Sequence, residues 1–341
     1  MSDATVFCIR QAMEEVLMGQ DLDEHRAAEV MEALTDDTVP AVLAGAFLTA
    51  LRCKGETADE IRGFANTMRK LAIRPELPAD STAVDIVGTG GDGSGSLNIS
   101  TGSALLAAAS GLTVVKHGNR SVSSKSGSAD VLEHLGMTLP ADAEAVTQAL
   151  ADSGFTFLFA PYFHPAMKAV APVRQVLAIR TVFNVLGPLT NPARPPFAVI
   201  GAYSEPLARL MADALSGMEV ERAFVIHGEP GWDEATPVGP FVLFDVRDGQ
   251  VRREVRDPKD YRMRRCTAAD LQGGDAAYNA DRLAAALSGK EQGAHVDALV
   301  LGAALALEVT GTTQSMRASM SHAREAINAG RGRALLASLK A

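Results

Sequence analysis

Apolar residues recur at helical spacing in the first part of the chain and predict a small helical domain. In "TVFCIRQAMEEVLMG" and "HRAAEVMEALTDD" they return every three to four positions. Pro40 near the start and Gly55 at the end bound a third helix. Thr57 and Glu60 give the capping-box pattern that opens a fourth. Because this region shows no strand pattern, we expect a helical domain over residues 1–75.

After a polar linker, "RPELPADST", the pattern changes to short apolar runs that alternate with helical segments. The runs "VDIV", "LTVV", "FTFLFA" and "FAVIGAY" predict strands, and helices between strands end at Gly111, Gly136 and Gly154. Alternating strands and helices are typical of the α/β class with a mostly parallel central sheet. We therefore expect a larger α/β domain over residues 80–341.

Four later segments depart from this alternation. Residues 164–192 read as helical and end in a proline-rich turn, while "FVLFDVRDGQVRREV" predicts a hairpin that turns at Asp248-Gly249. Two helical stretches, 297–310 and 318–340, close the chain.

Charge and cysteine content narrow the class of protein. The net charge of −9 does not favour a nucleic-acid binder, which needs a broad basic surface. Cys8, Cys53 and Cys266 are widely spaced and odd in number, so we expect free thiols in a reducing, cytoplasmic location. No apolar run reaches membrane-spanning length, and we expect no membrane partner.

The glycine-rich stretch "VDIVGTGGDGSGSLNIST" raises the question of which phosphate it binds. Gly88, Gly90 and Gly93 fit the spacing of a dinucleotide loop, but the next strand ends in lysine and histidine where an acidic residue is expected. The loop also contains Asp92, which would repel a bare pyrophosphate. Backbone N–H groups and the following helix N-terminus can still bind an anion. Taken alone, the glycines fit an ordinary glycine-rich turn better than a phosphate site.

Two further segments favour a ligand with several phosphates. "KHGNRSVSSKSGSADVLE" is rich in cationic and hydroxyl side chains and follows a strand, although a solvated loop explains it equally well. Asp233 and Glu234 in "GWDE" also follow a strand. Adjacent carboxylates are common on surfaces, but at the carboxyl edge of a parallel sheet they are suited to Mg²⁺.

Together these motifs resemble the anthranilate phosphoribosyltransferase family over essentially the whole chain. The likeness is carried by "GTGGDGSGSLNIST", "VKHGNRSVSSKSGSADVLEHLG", "FLFAPYFHPAMKAVAPVRQVLAIRTVFNVLGPLTNP" and "GWDE", and extends to "LQGGDAAYNA". The resemblance implies a helical domain that a segment near 170–190 rejoins, an active site between two domains, and a homodimer formed through the helical domains. It implies transfer of the phosphoribosyl group of 5-phosphoribosyl 1-diphosphate (PRPP) to the amine of anthranilate in tryptophan biosynthesis.

The resemblance also assigns residues to roles. For PRPP it implies Gly88, Gly91, Asp92, Ser96, Asn98, Ile99, Ser100, Thr101, Lys116, Gly118, Asn119, Arg120, Ser121, Ser124 and Ser128. For anthranilate it implies Gly88, His117, Asn119, His164 and Arg174. For Mg²⁺, expected at two ions per site, it implies Ser100, Asp233 and Glu234. The loop departs from the commonest family pattern at Ser96-Leu97, and "LQGGDAAYNA" departs at Tyr278, without loss of a ligand.

The chemistry of this reaction fits the residues available. The diphosphate leaving group needs metal ions and N–H donors, and a neutral aryl amine needs no protein nucleophile. We therefore expect catalysis by positioning, through Lys116, His117, Asn119 and Arg174. His164 is equally well explained as a structural histidine. Two alternatives remain. The acidic pair disfavours a pyrimidine nucleoside phosphorylase-like enzyme, and the acidic charge balance disfavours a nonenzymatic nucleic-acid-binding relative.

Overall fold

The computed structural model describes residues 3–77, 81–121 and 125–340. As predicted, helices open the chain: α1 (Asp3–Leu17), α2 (Glu24–Leu34), α3 (Ala41–Lys54) and α4 (Ala58–Leu71). The predicted capping box forms, since the Thr57 hydroxyl accepts from the Glu60 N–H and the Glu60 carboxylate accepts from the Thr57 N–H. Glu60 is fully buried, accepts from the Leu22 N–H and pairs with Lys54. The cap therefore also ties the α1–α2 turn and the end of α3 to α4.

Within the described residues, seven strands form one sheet. They are β1 (Val84–Gly88), β2 (Val114–Gly118), β3 (Phe155–Phe159), β4 (Phe197–Gly201), β5 (Arg222–Gly228), β6 (Phe241–Arg247) and β7 (Gln250–Arg256). Their order is β3-β2-β1-β4-β5-β6-β7, parallel from β3 to β5 and antiparallel at β6 and β7. This confirms the α/β class and the mostly parallel sheet. The predicted hairpin is β6–β7, and Asp248 and Gly249 both have positive φ in its turn.

The remaining helices follow the predicted alternation with two differences. They are α5 (Ile99–Ala109), α6 (Ser128–His134), α7 (Ala143–Ser153), α8 (Ala160–Phe163), α9 (Met167–Leu177), α10 (Phe183–Leu186), α11 (Glu205–Leu215), α12 (Ala276–Leu287), α13 (Ala294–Val309), α14 (Met316–Asn328) and α15 (Arg331–Ser338). The predicted helical stretch 318–340 consists of two helices, because Gly330 adopts a left-handed conformation and separates α14 from α15. The second difference is α12, which the sequence analysis did not predict. Among the described residues, none of these helices has the length and apolar character to span a bilayer.

The segment that interrupts the alternation packs on the N-terminal helices. α9 lies against α3, and its Val170 and Val173 join Phe64 of α4 in one buried apolar cluster. The same cluster includes Val87 and Ile200 on one face of the sheet. The helical part of the chain therefore shares its core with the α/β part, while the domain limits of 1–75 and 80–341 stay a prediction.

Candidate active site

Three neighbouring strands, β1, β4 and β5, end in glycine at the carboxyl edge of the sheet. A Cβ at Gly201 would lie 1.6 Å from the backbone oxygen of Asp233, and one at Gly228 would lie 2.0 Å from that of Glu234. At Gly88 a Cβ would lie 2.4 Å from the Asp233 carboxylate. The chain that follows β5 therefore crosses directly over the ends of the three strands.

This crossing brings the predicted acidic pair to the glycine-rich loop. Asp233 Oδ2 accepts from the Gly90 N–H at 2.6 Å, and the Asp233 N–H donates to Asp92 Oδ2 at 3.4 Å. Glu234 Oε1 accepts from the N–H of Ser100 at 3.0 Å, in the first turn of α5. An N-terminal turn offers unpaired N–H groups and a partial positive charge, so it stabilises a carboxylate there.

The electrostatics of this acidic cluster favour a bound cation. Burial, followed by the charge of Asp92, raises the pKa of Asp233 to about 7. Burial and then Asp233 raise the pKa of Glu234 to about 8, against the opposing effect of Lys116. Lys116 is itself buried, which lowers its pKa, and its Nζ donates to the Ile86 carbonyl. One buried ammonium group thus faces several carboxylates, and an added cation would offset their repulsion.

The two carboxylates of the acidic pair fit a Mg²⁺ ion whose coordination is completed by the substrate. Across the ranges that the structure describes, no three His, Cys, Asp or Glu side chains form a ready metal cage. Mg²⁺ ordinarily takes one or two carboxylates, several waters and substrate phosphates. Asp233 and Glu234 match that demand.

The predicted donor loop is braced by a segment near the C-terminus. Ser96 forms a β-bridge with Gln272, whose Nε2 donates to the Ser94 carbonyl at 3.0 Å. Asn98 Oδ1 accepts from Asn279 Nδ2 at 2.8 Å. The "LQGGDAAYNA" motif therefore fixes the shape of the loop. These contacts hold the Asn98 side chain. A ligand that bonds to Asn98 must therefore share its amide group with them.

The other predicted donor-binding residues differ in which of their groups can contact a phosphate. Ile99 and Thr101 are buried at the start of α5. The Ile99 N–H donates to the Leu97 carbonyl at 2.6 Å, so of these two residues the backbone N–H of Thr101 is better suited to a phosphate. Asn119 is exposed, and its Oδ1 accepts from the next N–H. Gly118 ends β2, where a Cβ would lie 3.6 Å from the Cβ of Ser128, and Ser121 follows in the next loop.

Arg120, another predicted donor-binding residue, is already paired with carboxylates. Arg120 pairs with Asp130 and Glu133 of α6 at 2.7 and 2.6 Å. It must therefore exchange these partners to contact a phosphate. Ser124 lies outside the described residues.

Two buried histidines lie side by side, His117 within β2 and His164 directly after α8. The ring centres of His117 and His164 are 5.1 Å apart, and each side chain is 4% exposed. Burial lowers the pKa of His117 to about 3 and that of His164 to about 4, so both are neutral at pH 7. His117 Nδ1 lies 3.0 Å from the Gly187 carbonyl, which can only accept, so Nδ1 carries the proton. Nε2 of His117 then has a free lone pair and no partner among the described residues.

Arg174 on α9 is a cation without a counter-ion. It is partly buried, burial lowers its pKa, and none of the described carboxylates pairs with it. Its guanidinium carbon lies 5.3 Å from the ring centre of Phe183. A planar cation beside an aromatic ring is suited to an aromatic carboxylate.

Two residues that were not predicted, Asp85 and Asn191, shape the site from below. β1 and β2 pair only at Val84 and Val114, whereas β1 and β4 pair over five positions. Beyond that point Asp85 accepts from the His117 N–H at 3.3 Å and from Asn191 Nδ2 at 2.8 Å. Asp85 is buried, and burial raises its pKa to about 6. An acid inside an apolar strand was the available signal, whereas Asn191 offered none.

A third missed residue is Arg180, which follows α9. Its Nη2 donates to the Gly91 carbonyl at 2.8 Å, so it contacts the donor loop directly. Nothing in the local sequence distinguishes Arg180 from other surface arginines.

Comparison with protein families gives two matches that together span most of the chain. Residues 10–72 match "Glycosyl transferase family, helical bundle domain", and residues 80–333 match "Glycosyl transferase family, a/b domain".

Individual relatives point to one activity within that family. Anthranilate phosphoribosyltransferase of Chloroflexus aggregans is 46% identical over 95% of this chain and 95% of its own length. The crystal structure of the Thermus thermophilus enzyme of that name matches with a TM-score of 0.90 at 42% identity, over 97% of this chain and 99% of its own. The Saccharomyces cerevisiae enzyme in complex with PRPP and Mg matches with a TM-score of 0.89 at 27% identity, over 99% and 98%. Its complex with 4-fluoroanthranilate matches at 0.86 and 25%, over 97% and 96%.

Proposed function

Because the chain belongs to the anthranilate phosphoribosyltransferase family, we propose that it transfers the phosphoribosyl group of PRPP to the amine of anthranilate, a step of tryptophan biosynthesis. The observation that carries the proposal is the joining of the glycine-rich loop to Asp233 and Glu234 at one sheet edge. Neither alternative from the sequence finds support among the relatives above.

The donor side is proposed to bind PRPP through the loop after β1 and the start of α5. The donors on offer are the backbone N–H groups of Gly91 and Thr101 and the side chains of Ser96 and Ser100, whereas the Ile99 N–H already donates to the Leu97 carbonyl. Lys116 supplies positive charge from below. These groups are fixed before the reaction, so they stabilise the developing charge of diphosphate without reorganisation.

Mg²⁺ is the cofactor, by analogy with the yeast complex that contains PRPP and Mg. We propose two ions per site, held by Ser100 and by Asp233 with Glu234. When bound, Mg²⁺ neutralises charge on the diphosphate as it leaves.

The acceptor side is proposed to use Arg174, His117 and His164. Arg174, which lacks a counter-ion, pairs with the carboxylate of anthranilate. The free lone pair of His117 Nε2 accepts an N–H of the aryl amine and orients its nitrogen toward the ribosyl carbon. Since both histidines are neutral, neither protonates the nucleophile at pH 7. Positioning of two substrates then accounts for catalysis without a protein nucleophile.

The test is loss of anthranilate fluorescence with time. Decay should require anthranilate, PRPP and Mg²⁺ together, and Glu234→Gln should need far more Mg²⁺ for the same rate. A folded protein that leaves anthranilate unchanged would refute the proposal. Phosphate-dependent release of a pyrimidine from a nucleoside, or retention on heparin, would then support one of the two alternatives.

We also propose a homodimer through the helical domain. A groove of about 840 Å³ lies between α1, α3 and α9, and the apolar side chains of Leu17, Val42 and Val176 beside it are 61%, 86% and 86% exposed. Such a patch is unusual on a monomer. In light scattering, Val42→Asp should give monomers, whereas Val255→Asp, 58% exposed on β7, should not. A monomeric unaltered protein would contradict the proposal.

A cytoplasmic location is a further proposal. It is supported by three cysteines that are unpaired in the structure.

A further inference from the structure

One side chain, Arg180, joins the segment that carries Arg174 to the donor loop. Its guanidinium donates to the Gly91 carbonyl at 2.8 Å and lies 4.3 Å from the ring centre of Tyr203, just after β4. Its own backbone carbonyl accepts from the side chain of Arg52 on α3. No carboxylate of the described residues pairs with Arg180. Its charge is therefore used on a loop carbonyl and an aromatic ring.

The part of the loop that Arg180 contacts is held from two sides. Gly90 donates its N–H to Asp233, and the Asp92 carboxylate accepts from the Asp233 N–H. Gly91 lies between these two residues with φ of +74°, and a Cβ there would be 3.8 Å from the Arg180 guanidinium carbon. Three consecutive loop residues are thus fixed between the acidic pair and Arg180.

The same arginine is close to the acceptor site along the chain. α9, which carries Arg174, ends at Leu177, and Ala178 adopts a left-handed conformation before the chain reaches Arg180. α9 packs on α3, and Arg52 of α3 donates to the Arg180 carbonyl, so continuous contacts join the loop to α3 and α9.

We propose that Arg180 is a positioning residue that couples the two substrate sites. PRPP ordering the loop then improves binding of the acceptor, and by reciprocity the acceptor improves binding of PRPP. The inference rests on the proposed function. Arginine suits this role because its planar group stacks on a ring and donates at the same time, which lysine does not match.

The experiment is calorimetric titration with benzoate, which keeps the ring and carboxylate of anthranilate but lacks the amine and cannot react. Benzoate affinity is measured without donor and with saturating Mg²⁺ and PRPP. The unaltered protein should bind benzoate about fivefold or more tightly when donor is present, the lower end of usual coupling. Arg180→Ala should reduce that ratio to about twofold or less, while PRPP still binds.

Matched variants separate this role from charge or folding. Arg180→Lys keeps the charge and should also lose coupling. Tyr203→Phe keeps the ring, and Arg209→Ala removes an exposed arginine that pairs with Asp213, so both should couple normally. Unchanged coupling in Arg180→Ala, or full coupling in Arg180→Lys, would overturn the inference, as would an unaltered protein that binds both ligands independently. An unaltered protein that binds no PRPP would instead refute the proposed function.

Discussion

Replacing Gly201 with alanine tests whether the glycine strand ends determine the position of the acidic pair. The new Cβ would lie 1.6 Å from the backbone oxygen of Asp233, and contacts below 3.0 Å do not persist, so the end of β4 and Asp233 must separate by at least about 1.4 Å. A misplacement of about 1 Å can lower catalysis about 100-fold, which corresponds to about 2.7 kcal/mol in activation free energy. We therefore expect Gly201→Ala to lower kcat/KM at least about 100-fold and to raise the Mg²⁺ concentration needed for half-maximal rate.

The assay is anthranilate fluorescence over a Mg²⁺ titration, with chemical unfolding of each variant measured in parallel. Gly332→Ala is the matched control, because its Cβ would lie 2.3 Å from the Leu287 carbonyl, in α15 and away from the sheet edge. It should lose stability but keep the Mg²⁺ dependence of the unaltered protein. If Gly201→Ala titrates normally with Mg²⁺, or if Gly332→Ala shows the same defect, the steric reasoning is wrong.

Three further predictions address the acceptor site and the network beneath it. Arg174→Ala should raise the KM for anthranilate at least about tenfold, the loss of a charged hydrogen bond, and the KM for PRPP much less; equal losses would indicate a structural role. His117 has a pKa lowered to about 3 from 6.5, so its contribution to stability is complete above pH 6.5 and is lost as pH falls toward 3. His117→Asn should therefore reduce the slope of the unfolding free energy against pH, between pH 6 and 4, by about 1.4 kcal/mol per pH unit. Parallel curves for the variant and the unaltered protein would contradict this. Asn191→Ala leaves the buried Asp85 short of a partner and should cost about 3 kcal/mol in urea unfolding, against about 1 kcal/mol or less for Asn66→Ala, which loses one partly buried bond.

Local sequence signals were enough where the structure depends on neighbours along the chain. The capping box at Thr57 and Glu60, the hairpin at Asp248-Gly249 and the left-handed helix end at Gly154 each follow from a few adjacent residues. The same reasoning failed at Gly330, because a glycine inside an apolar helical pattern can either be tolerated or end the helix. In the structure Gly330 has a φ of +74° and separates α14 from α15.

The loops of the candidate site were predictable from the sequence, but the residues that hold the site in place were not. Asp233, Glu234 and the glycine-rich loop occupy recognisable motifs that follow strands, and parallel strands bring such loops to one edge. Asn191 and Arg180 act through contacts with Asp85 and Gly91, each about a hundred residues away in sequence. No periodicity or spacing encodes such pairings, so only the folded chain reveals them.

The departures from ordinary folding rules collect at the carboxyl edge of the sheet. Lys116 is buried in a strand and forms no direct ion pair with a described residue, Asp85 replaces a backbone acceptor between β1 and β2, and the strands end in glycines that contribute no apolar packing. Each of these features lowers stability in the absence of ligand. The apolar core that α5 and α13 form, on the face of the sheet opposite the N-terminal helices, offsets that cost. Natural chains tolerate such conflicts mainly where function requires them. The raised pKa values of Asp233 and Glu234 give the same conclusion in electrostatic terms, since a cation bound between these carboxylates would relieve their repulsion.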